Sequence, residues 1–411
     1  MAHFNNQVAE MQGLYGPFTI AERVVQKIWR QLDFNLSRAA LLDGRTLEVR
    51  SPGNWNLLGG PDFQDARLRI DGREITGDVE VHFHVGDWAA HGHQNDNAYG
   101  AVVLHVVLFA PHEGERTALR KDGHELPVLA LLPLLHRDLE EYASDDALET
   151  ITARAEWQQF AALAERPAAE RATLLQHHAE LRWKQKVHFA RLRIAKLGWC
   201  AAAHQTTLEI LGYRFNRAVM LGVAVHYPLA AWAEDVEPRR AFEERRVLWQ
   251  LQGVRPANHP LTRLQQYQQW VSRQPDWPAR LLEIAALLPA GLAAATATKD
   301  ARAVAGLGDW RERFADEVAG GVLGGTRLDN LICDGFVPLL AAHAGRELAG
   351  LWFHWFAGDL PDQVRTALPR LGVTGTRLQP LCHGYGQGLL SWILERESRT
   401  GADQTENWPD A

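Results

Sequence analysis

The chain has 411 residues, of which 46% are hydrophobic and 23% charged, with a formal net charge of −7. This composition is that of an ordinary water-soluble protein, and it excludes a globally basic nucleic-acid binder. Three widely separated cysteines exclude a disulfide framework and a zinc ribbon. No apolar run approaches the ~18 residues of a membrane span, and the first residues lack the layout of a signal peptide. We therefore expect a cytoplasmic protein of two or three domains, whose oligomeric state stays open.

The first third of the chain predicts a β-sheet with a leading helix. Thr19 and Glu22 have the spacing of a capping box, which would open a helix there. Asp71-Gly72 is a residue pair that favours a two-residue hairpin turn. Alternating and β-branched runs predict strands at 47–49, 64–70, 74–85 and 101–109, then a second hairpin across 121–124 with 126–132 as its other arm.

From about residue 134 onwards the spacing of apolar residues is that of helices. The predicted helices lie at 136–164, 169–197, 201–212, 217–226, 239–252, 261–273, 278–288, 309–319, 327–343, 346–357, 362–370 and 379–396. An Ala- and Gly-rich stretch at 289–308 predicts a linker. The sequence thus predicts an α+β fold with an N-terminal mixed β-sheet domain and flanking helix at 1–134, a long all-α region at 135–396 and a polar tail at 397–411.

One predicted strand carries an unusual row of ionisable side chains. Side chains alternate between the two faces of a strand, so every second residue lies on the same face. The residues that share one face here are Asp78, Glu80, His82 and His84. Such a row is more typical of metal ligands or acid–base groups than of a solvated strand. The alternative is a carboxylate–imidazole network on the wet face of the sheet.

The hairpin brings a further carboxylate to this row. A two-residue turn pairs Ile70 with Arg73, and the same register places Asp62 opposite Val81. Opposed residues lie about 4.5–5.5 Å apart at Cβ, so Asp62 comes close to Glu80 even after a one-residue slip. Two carboxylates that meet next to an imidazole suit a divalent cation with oxygen ligands.

Further histidines could complete a transition-metal site instead, since imidazole suits zinc, manganese or iron. The candidates are His84, His91, His93 and His105. His105 lies within an apolar strand, where a hydrogen-bonded core histidine is the other interpretation. His91 and His93 lie in a loop and either contact a substrate or belong to the ordinary surface. Asp78 is interpreted as a hydrogen-bond partner of one of the histidines.

The segment 181–196 combines several cations with no acidic residue. The cations are Arg182, Lys184, Lys186, Arg191, Arg193 and Lys196. On one helix they would form a basic ridge able to follow a phosphate backbone. The alternative is a solvated helix face.

Several motifs are similar to those of a bacterial family designated domain of unknown function 2851. In the sheet region they are Gly60-Pro-Asp-Phe63, Ala66-Arg67, Gly77–His82, Asp87-Trp88, His91, His93, Asp96, Ala98-Tyr99 and Leu104–Val107. In the helical region they are Trp183, Lys186, Gly212–Asn216, and Arg255-Pro256 with Asn258 and Arg263. The resemblance covers most of the chain and implies no activity. The cysteine-rich ending expected in the family is reduced here to Cys382 before His383.

A second resemblance is to the PD-(D/E)xK nuclease superfamily. Pro61-Asp62 is followed eighteen positions later by Glu80-x-His82, as in the core of those enzymes. The resemblance implies a restriction-endonuclease-like core in which Asp62 and Glu80 bind magnesium. It implies that His82 stands where a lysine is usual, and that Glu48 supplies the additional upstream acidic residue.

The function expected from these observations is a metal-dependent nuclease that acts on nucleic acid. Asp62 and Glu80 would hold Mg²⁺ or Mn²⁺, and His82 would replace the lysine, supported by His84 with His91 or His93. The alternatives are a catalytically inactive relative that binds nucleic acid or protein, a histidine-rich metalloenzyme of other chemistry, and an interaction scaffold built on the helical region. The motifs of nucleotide-driven enzymes and serine hydrolases do not occur in the sequence.

Overall fold

The computed structural model describes residues 10–12, 19–57, 59–112, 118–154 and 157–406. Within them the chain forms two compact units, one that ends at Ala143 and one that starts at Ser144. The first is built on a mixed β-sheet and the second on α-helices, which confirms the α+β class. None of the helices in these ranges is both long and apolar enough to cross a membrane.

The strands of the first unit form one small and one large sheet. They are β1 (Glu10–Gln12), β2 (Thr19–Ala21), β3 (Leu47–Ser51), β4 (Asn54–Trp55), β5 (Phe63–Ile70), β6 (Arg73–His82), β7 (Val102–Val107) and β8 (Val128–Ala130). The large sheet has the order β3-β5-β6-β7-β8, with β4 also paired to β5. Neighbours are antiparallel from β3 to β6 and parallel from β6 to β8, so the predicted mixed sheet is confirmed.

The leading helix, α1 (Glu22–Gln31), begins later than the capping box predicted. Ala21 is the N-cap residue and no side chain caps the helix. The predicted capping box is therefore wrong, because β2 continues through Ala21 directly into the helix and makes Glu22 its first residue. The apolar side of α1 is buried through Val24, Val25, Ile28 and Trp29.

The hairpin between β5 and β6 forms at the predicted turn. Ile70 pairs with Arg73, and the turn residues Asp71 and Gly72 have φ of 46° and 78°, as a type I′ turn requires. The predicted register fails further along, however, because Ala66 pairs with Gly77 while Phe63 pairs with Val79. β5 thus contains one extra residue, a β-bulge in which Asp65 has φ of 58°.

The parallel half of the sheet brings β7 beside the ionisable row of β6. Glu80 pairs with His105, and a Cβ at Gly77 would lie 2.4 Å from Cγ1 of Val103, so only glycine fits there. The predicted arm at 126–132 is instead the short strand β8, parallel to β7 and buried. Apolar strands covered on both faces are typical of parallel pairing. Between β6 and β7 the chain forms the one-turn helix α2 (Asp87–Ala90) and two 3₁₀ turns.

The second unit is helical throughout its described length. Helix α3 (Leu139–Arg154) runs across the boundary at Ser144. The helices after it are α4 (Trp157–Ala164), α5 (Ala168–Leu197), α6 (Trp199–Leu211), α7 (Tyr213–His226), α8 (Leu229–Glu234), α9 (Pro238–Glu243), α10 (Pro260–Arg273), α11 (Trp277–Ala285), α12 (Thr298–Val304), α13 (Leu307–Arg313), α14 (Gly325–Asn330), α15 (Val337–Ala344), α16 (Ala349–His354), α17 (Asp362–Arg370) and α18 (His383–Glu406). Its core combines aliphatic side chains with buried aromatic residues such as Trp270, Trp277 and Trp352. The predicted linker at 289–308 contains α12, and α18 continues through Glu406 into the predicted tail.

Candidate functional site

Three carboxylates of the first unit form the acidic group, which we define as Glu22, Asp62 and Glu80. The backbone N–H of Asp62 donates to Oε2 of Glu80 at 3.0 Å, and Oδ2 of Asp62 accepts from the N–H of Val81 at 3.1 Å. Nε2 of Gln26 in α1 donates to Oδ1 of Asp62 at 2.8 Å. The start of β5, the end of β6 and Gln26 of α1 therefore hold Asp62 and Glu80 together, and Glu22 in the first turn of α1 lies near enough to feel their charge.

The sequence did not reveal Glu22 as a site residue, because its carboxylate was interpreted as part of a helix capping box. The carboxylate instead points toward the sheet, and its Oε1 is buried without a hydrogen-bond partner. Burial, followed by the charges of Asp62, Glu80 and Asp87, raises the pKa of Glu22 to about 8. The signal that could have found it was an acidic residue on the helix that leads into the sheet.

The other two members of the acidic group resist ionisation as well. Burial, followed by the charge of Glu80, raises the pKa of Asp62 to about 8, against the hydrogen bonds from Val81 and Gln26. Burial raises the pKa of Glu80, which is 5% exposed, to about 8. No lysine or arginine in the described ranges forms an ion pair with any of the three. The site thus gathers three carboxyl groups with no lysine or arginine among the described residues to compensate their charge.

Next to the acidic group lies the histidine triad, which we define as His82, His91 and His93. One candidate ligand atom from each lies within 4.8 Å of those of the others. Nε2 of His82 is 3.1 Å from Nδ1 of His91 and 3.4 Å from Oε1 of Glu80. Nε2 of His93 is 3.3 Å from the same Glu80 oxygen. Glu80 therefore belongs to the acidic group and also borders the triad.

The triad is held in its neutral form by its surroundings. Burial lowers the pKa of His82 well below its ordinary value, and neighbouring histidines add to this effect. Burial also lowers the pKa of His93 to about 4 and, to a lesser extent, that of His91. A neutral imidazole has a free lone pair, which is the form that binds a metal or accepts a proton.

His105 supports the triad from the neighbouring strand. Its Nε2 lies 2.8 Å from Nδ1 of His82, while its Nδ1 is buried and without a hydrogen-bond partner. Burial lowers the pKa of His105 to about 3. A hydrogen bond to the second ring nitrogen is the usual way in which the tautomer and orientation of a ligand histidine are fixed. His105 is therefore placed to orient His82 rather than to contact a substrate.

Aromatic rings fix the loop that carries the rest of the triad. The ring of His93 stacks on that of Tyr99 with 3.8 Å between centroids, and it contacts Trp88 edge-on. Nε1 of Trp88 donates to the carbonyl of Leu119 at 2.9 Å. Burial and the charges of Glu80 and Asp62 raise the pKa of Tyr99, so its hydroxyl stays protonated. These contacts give residues 87–99 a defined conformation over the end of the sheet.

Other residues predicted for the site lie elsewhere in the first unit. Glu48 is exposed and its carboxylate pairs with Arg50 at 2.8 Å and Arg69 at 3.7 Å, because β3 lies on the far side of β5 from β6. Oδ1 of Asp78 accepts from the N–H of Asp65 in the bulge and contacts no histidine. His84 is exposed beyond the end of β6 and stacks on Phe109. The structure therefore does not bring these three to the acidic group or the triad.

The cations predicted as a basic ridge do lie on one helix, α5, but they do not share one surface. Arg182 is buried and donates to Ser144 at 3.0 Å, and Nζ of Lys186 donates to Oδ1 of Asp334 at 2.7 Å. Arg193 pairs with the buried carboxylate of Glu209 at 2.7 Å. Three cations thus serve the interior of the second unit. The exposed ones are Lys184, Arg191 and Lys196.

The two halves of the site offer different chemistry to a metal. Carboxylate oxygens, as in the acidic group, are the ligands that Mg²⁺ and Mn²⁺ prefer. Three neutral imidazoles bordered by a carboxylate suit zinc, manganese or iron instead. The orphaned oxygen of Glu22 and the raised pKa values of all three carboxylates fit a bound cation, since a positive charge would relieve both.

Comparison with known proteins identifies one match. The model of the family described as Protein of unknown function (DUF2851) matches residues 22–244, a range that includes the acidic group, the histidine triad and His105. No curated protein and no solved structure matches the chain.

Proposed function

Because the chain belongs to the DUF2851 family, whose description names no activity, we propose its function from the site: a Mg²⁺- or Mn²⁺-dependent phosphodiesterase that hydrolyses nucleic acid. The observation that carries the proposal is the proximity of Glu22, Asp62 and Glu80 with no lysine or arginine partner in the part of the chain that the structure describes. Like-charged carboxylates in a half-buried place are costly to a fold unless a cation or a proton compensates them.

The roles of the chain's own residues follow from their positions. Asp62 and Glu80 would hold the cation between the ends of β5 and β6, and Glu22 would complete the oxygen ligands from α1. A divalent cation in such a place neutralises phosphate charge and lowers the pKa of a bound water. Neutral His82 can accept the proton of the attacking water at Nε2, and His105 keeps that nitrogen oriented by contacting Nδ1.

The order of the elements supports the same proposal. A helix leads into the antiparallel hairpin, the hairpin presents Asp62 just before one strand and Glu80 on the next, and a parallel strand follows. This is the arrangement that the nuclease resemblance implies for its core. A cytoplasmic location is part of the proposal, since all three cysteines are free thiols.

The test is a cleavage screen on single- and double-stranded DNA and RNA with Mg²⁺ or Mn²⁺. Asp62→Asn and Glu80→Gln should each reduce cleavage at least ~100-fold, because each removes a charge from the cation site. Glu48→Gln and His84→Ala serve as matched controls and should keep full activity. Equal activity in the Asp62→Asn variant and in the controls would sink the proposal. Cation binding without cleavage of any substrate would favour the inactive relative.

A second candidate function is that of a histidine-rich metalloenzyme, and the geometry of the triad favours it. Three imidazoles with ligand atoms within 4.8 Å of one another can hold zinc, manganese or iron. Elemental analysis of the protein purified without chelators should then show about one such metal per chain. His91→Ala should lose it, while His84→Ala, a histidine outside the triad, should keep it. An equal metal content in both variants would reject this candidate.

A further inference from the structure

A second charged cluster lies in the helical unit and contains the arginine pair, which we define as Arg263 in α10 and Arg327 in α14. Each side chain is more than nine-tenths buried, with 7% of its surface exposed. Both approach the same acceptor: Oδ1 of Asn258 lies 2.8 Å from Nη2 of Arg263 and 3.3 Å from Nη2 of Arg327. Two guanidinium groups of like charge therefore meet at one neutral amide oxygen.

The charge of the arginine pair is only half compensated. Nη2 of Arg327 donates to Oδ2 of Asp359 at 2.7 Å, whereas Arg263 donates to the neutral side chains of Gln266 and Asn258. The Nε atoms of both arginines are buried and have no hydrogen-bond acceptor. Burial, followed by the charge of Arg327, lowers the pKa of Arg263 to about 10. The cluster thus has an excess of positive charge and of N–H donors.

Arg311, which is partly exposed and pairs with the buried carboxylate of Asp329, shows what full compensation looks like. Nε and Nη2 of Arg311 each donate to one carboxylate oxygen of Asp329, both at 2.7 Å. Such a two-pronged pair satisfies the guanidinium in charge and in geometry. The arginine pair has no comparable arrangement for Arg263, and burying an uncompensated charge destabilises a fold. Arg263 therefore keeps a positive charge and an N–H donor that an oxyanion could satisfy.

Two motifs noted in the sequence analysis meet at this cluster. Tyr213 has φ of 57°, a strained conformation for a tyrosine, and Cζ of Arg327 lies 4.6 Å from the centre of its ring. Asn216 holds the backbone of Gln250 with two hydrogen bonds of 3.0 and 2.9 Å, a few residues before Asn258. The segment 212–216 therefore positions both the aromatic support of Arg327 and the loop that carries Asn258.

We propose that Arg263, Arg327 and Asn258 form a binding site for a phosphate-type oxyanion. Guanidinium groups recognise phosphate oxygens through paired N–H donors, and the side-chain amide of Asn258 carries two further N–H donors beside them. The ligand is the phosphoryl group of a small phosphate ester or of a terminal nucleotide, which share this chemistry. The site is independent of the acidic group and stands whether or not the protein cleaves nucleic acid.

The first test measures binding of inorganic phosphate to the full chain by calorimetry at constant ionic strength. Saturable binding is expected, and Arg263→Gln and Arg327→Gln should each weaken it at least tenfold. Arg302→Gln is the matched control: it removes a half-buried arginine that bonds only backbone carbonyls, and it should bind phosphate like the unaltered chain. Absence of saturable binding to the unaltered chain would overturn the proposal.

Asn258→Asp is a sharper variant because it should not unfold the protein. It places a negative charge where both arginines converge, so the phosphate-free protein should melt at a higher temperature while phosphate binds at least tenfold more weakly. Unchanged phosphate affinity in this variant would also overturn the proposal. The source of the phosphoryl group is separated by competition: an oligonucleotide with a 5′-phosphate should displace phosphate better than the same oligonucleotide without it if the ligand is a nucleotide end, and neither should if it is a small ester.

Discussion

The two units of the molecule treat buried charge in opposite ways. In the sheet unit, Glu22, Asp62 and Glu80 repel one another and no lysine or arginine of the described chain balances them. In the helical unit, buried charges mostly occur in matched sets, such as Arg193 with Glu209 at 2.7 Å. The helical charges thus hold helices together, whereas the uncompensated acidic group agrees with our proposal that a cation binds there from solution.

Charge balance therefore separates structural from functional polar residues better than residue type does. Segment 181–196 has the composition of a basic surface that binds nucleic acid, yet half of its cations form hydrogen bonds or ion pairs inside the helical unit. The arginine pair, in contrast, does not form a basic segment in the sequence, yet it has an excess of positive charge in the structure. The acidic group and the arginine pair share one feature: each has an excess of charge of one sign that the described residues around it do not compensate.

The largest effect on stability should come from removing one partner of a buried, charge-compensated ion pair. Glu209→Gln removes the charge that compensates the buried guanidinium of Arg193, and we expect it to lower the free energy of unfolding by about 3–5 kcal/mol. Glu180→Gln, which breaks the exposed pair with Lys184, should cost less than about 1 kcal/mol. Urea unfolding of both variants measures the difference. An equal loss of unfolding free energy in the two variants would contradict the distinction between buried and exposed ion pairs.

A substitution that neutralises a carboxylate of the acidic group should stabilise the protein instead of destabilising it. Glu22→Gln removes one of three repelling carboxylates, so the metal-free protein at pH 8 should become more stable by on the order of 1 kcal/mol, since one pKa unit corresponds to ~1.4 kcal/mol. Its affinity for Mg²⁺ or Mn²⁺ should fall at least ~10-fold. Glu48→Gln, the exposed control, should change neither quantity. Thermal unfolding measures the change in stability, and cation titration measures the change in affinity. A less stable Glu22→Gln variant would contradict the repulsion among the three carboxylates.

The pH dependence of stability should reveal the acidic group without any substitution. Its carboxyl groups have a pKa of about 8 in the folded chain, against ordinary values of 3.8 and 4.5. Their protonated forms stabilise the fold fully below about pH 4, and this contribution is lost as the pH rises through 8. The melting temperature of the metal-free protein should therefore fall by several degrees as the pH rises from about 5 to about 8 and should level off above about 9, and Mg²⁺ should reverse the fall. A flat profile would contradict the raised pKa values.

The smallest effects are expected from the exposed cations of α5. Lys184→Ala and Arg191→Ala should change the free energy of unfolding by less than about 0.5 kcal/mol, as is usual for surface positions. If α5 contacts nucleic acid through these residues, each variant should lower the salt dependence of binding by about one charge. Binding curves at several salt concentrations test this, and an unchanged slope would remove α5 from the nucleic-acid surface.

Local chemistry explains which parts of the fold could be predicted from the sequence. The turn at Asp71-Gly72 was predictable because few residue pairs accept positive φ at both positions. The approach of Asp62 to Glu80 followed from that turn and tolerated the error in register. The long helix α5 was predictable because its apolar spacing persists over 30 residues.

The remainder depended on tertiary contacts that no spacing encodes. His91 and His93 join His82 only because the loop after β6 folds back and stacks His93 on Tyr99. Glu22 required knowledge of where β2 ends and α1 begins, a boundary that shifts the residue from a capping role to the site. The arginine pair combines α10 and α14, which lie far apart in sequence and share no local pattern.

The bulge in β5 determines which face of the sheet Asp62 lies on. If all residues of β5 continued the ladder from the pair of Ala66 and Gly77 without a bulge, Phe63 would lie across from Glu80 and Asp62 across from Val81, among the valines of the apolar face. The three carboxylates would still be encoded, yet Asp62 would no longer share a face with Glu80. The bulge, in which Asp65 has φ of 58°, therefore helps to assemble the acidic group although its own side chain does not belong to it.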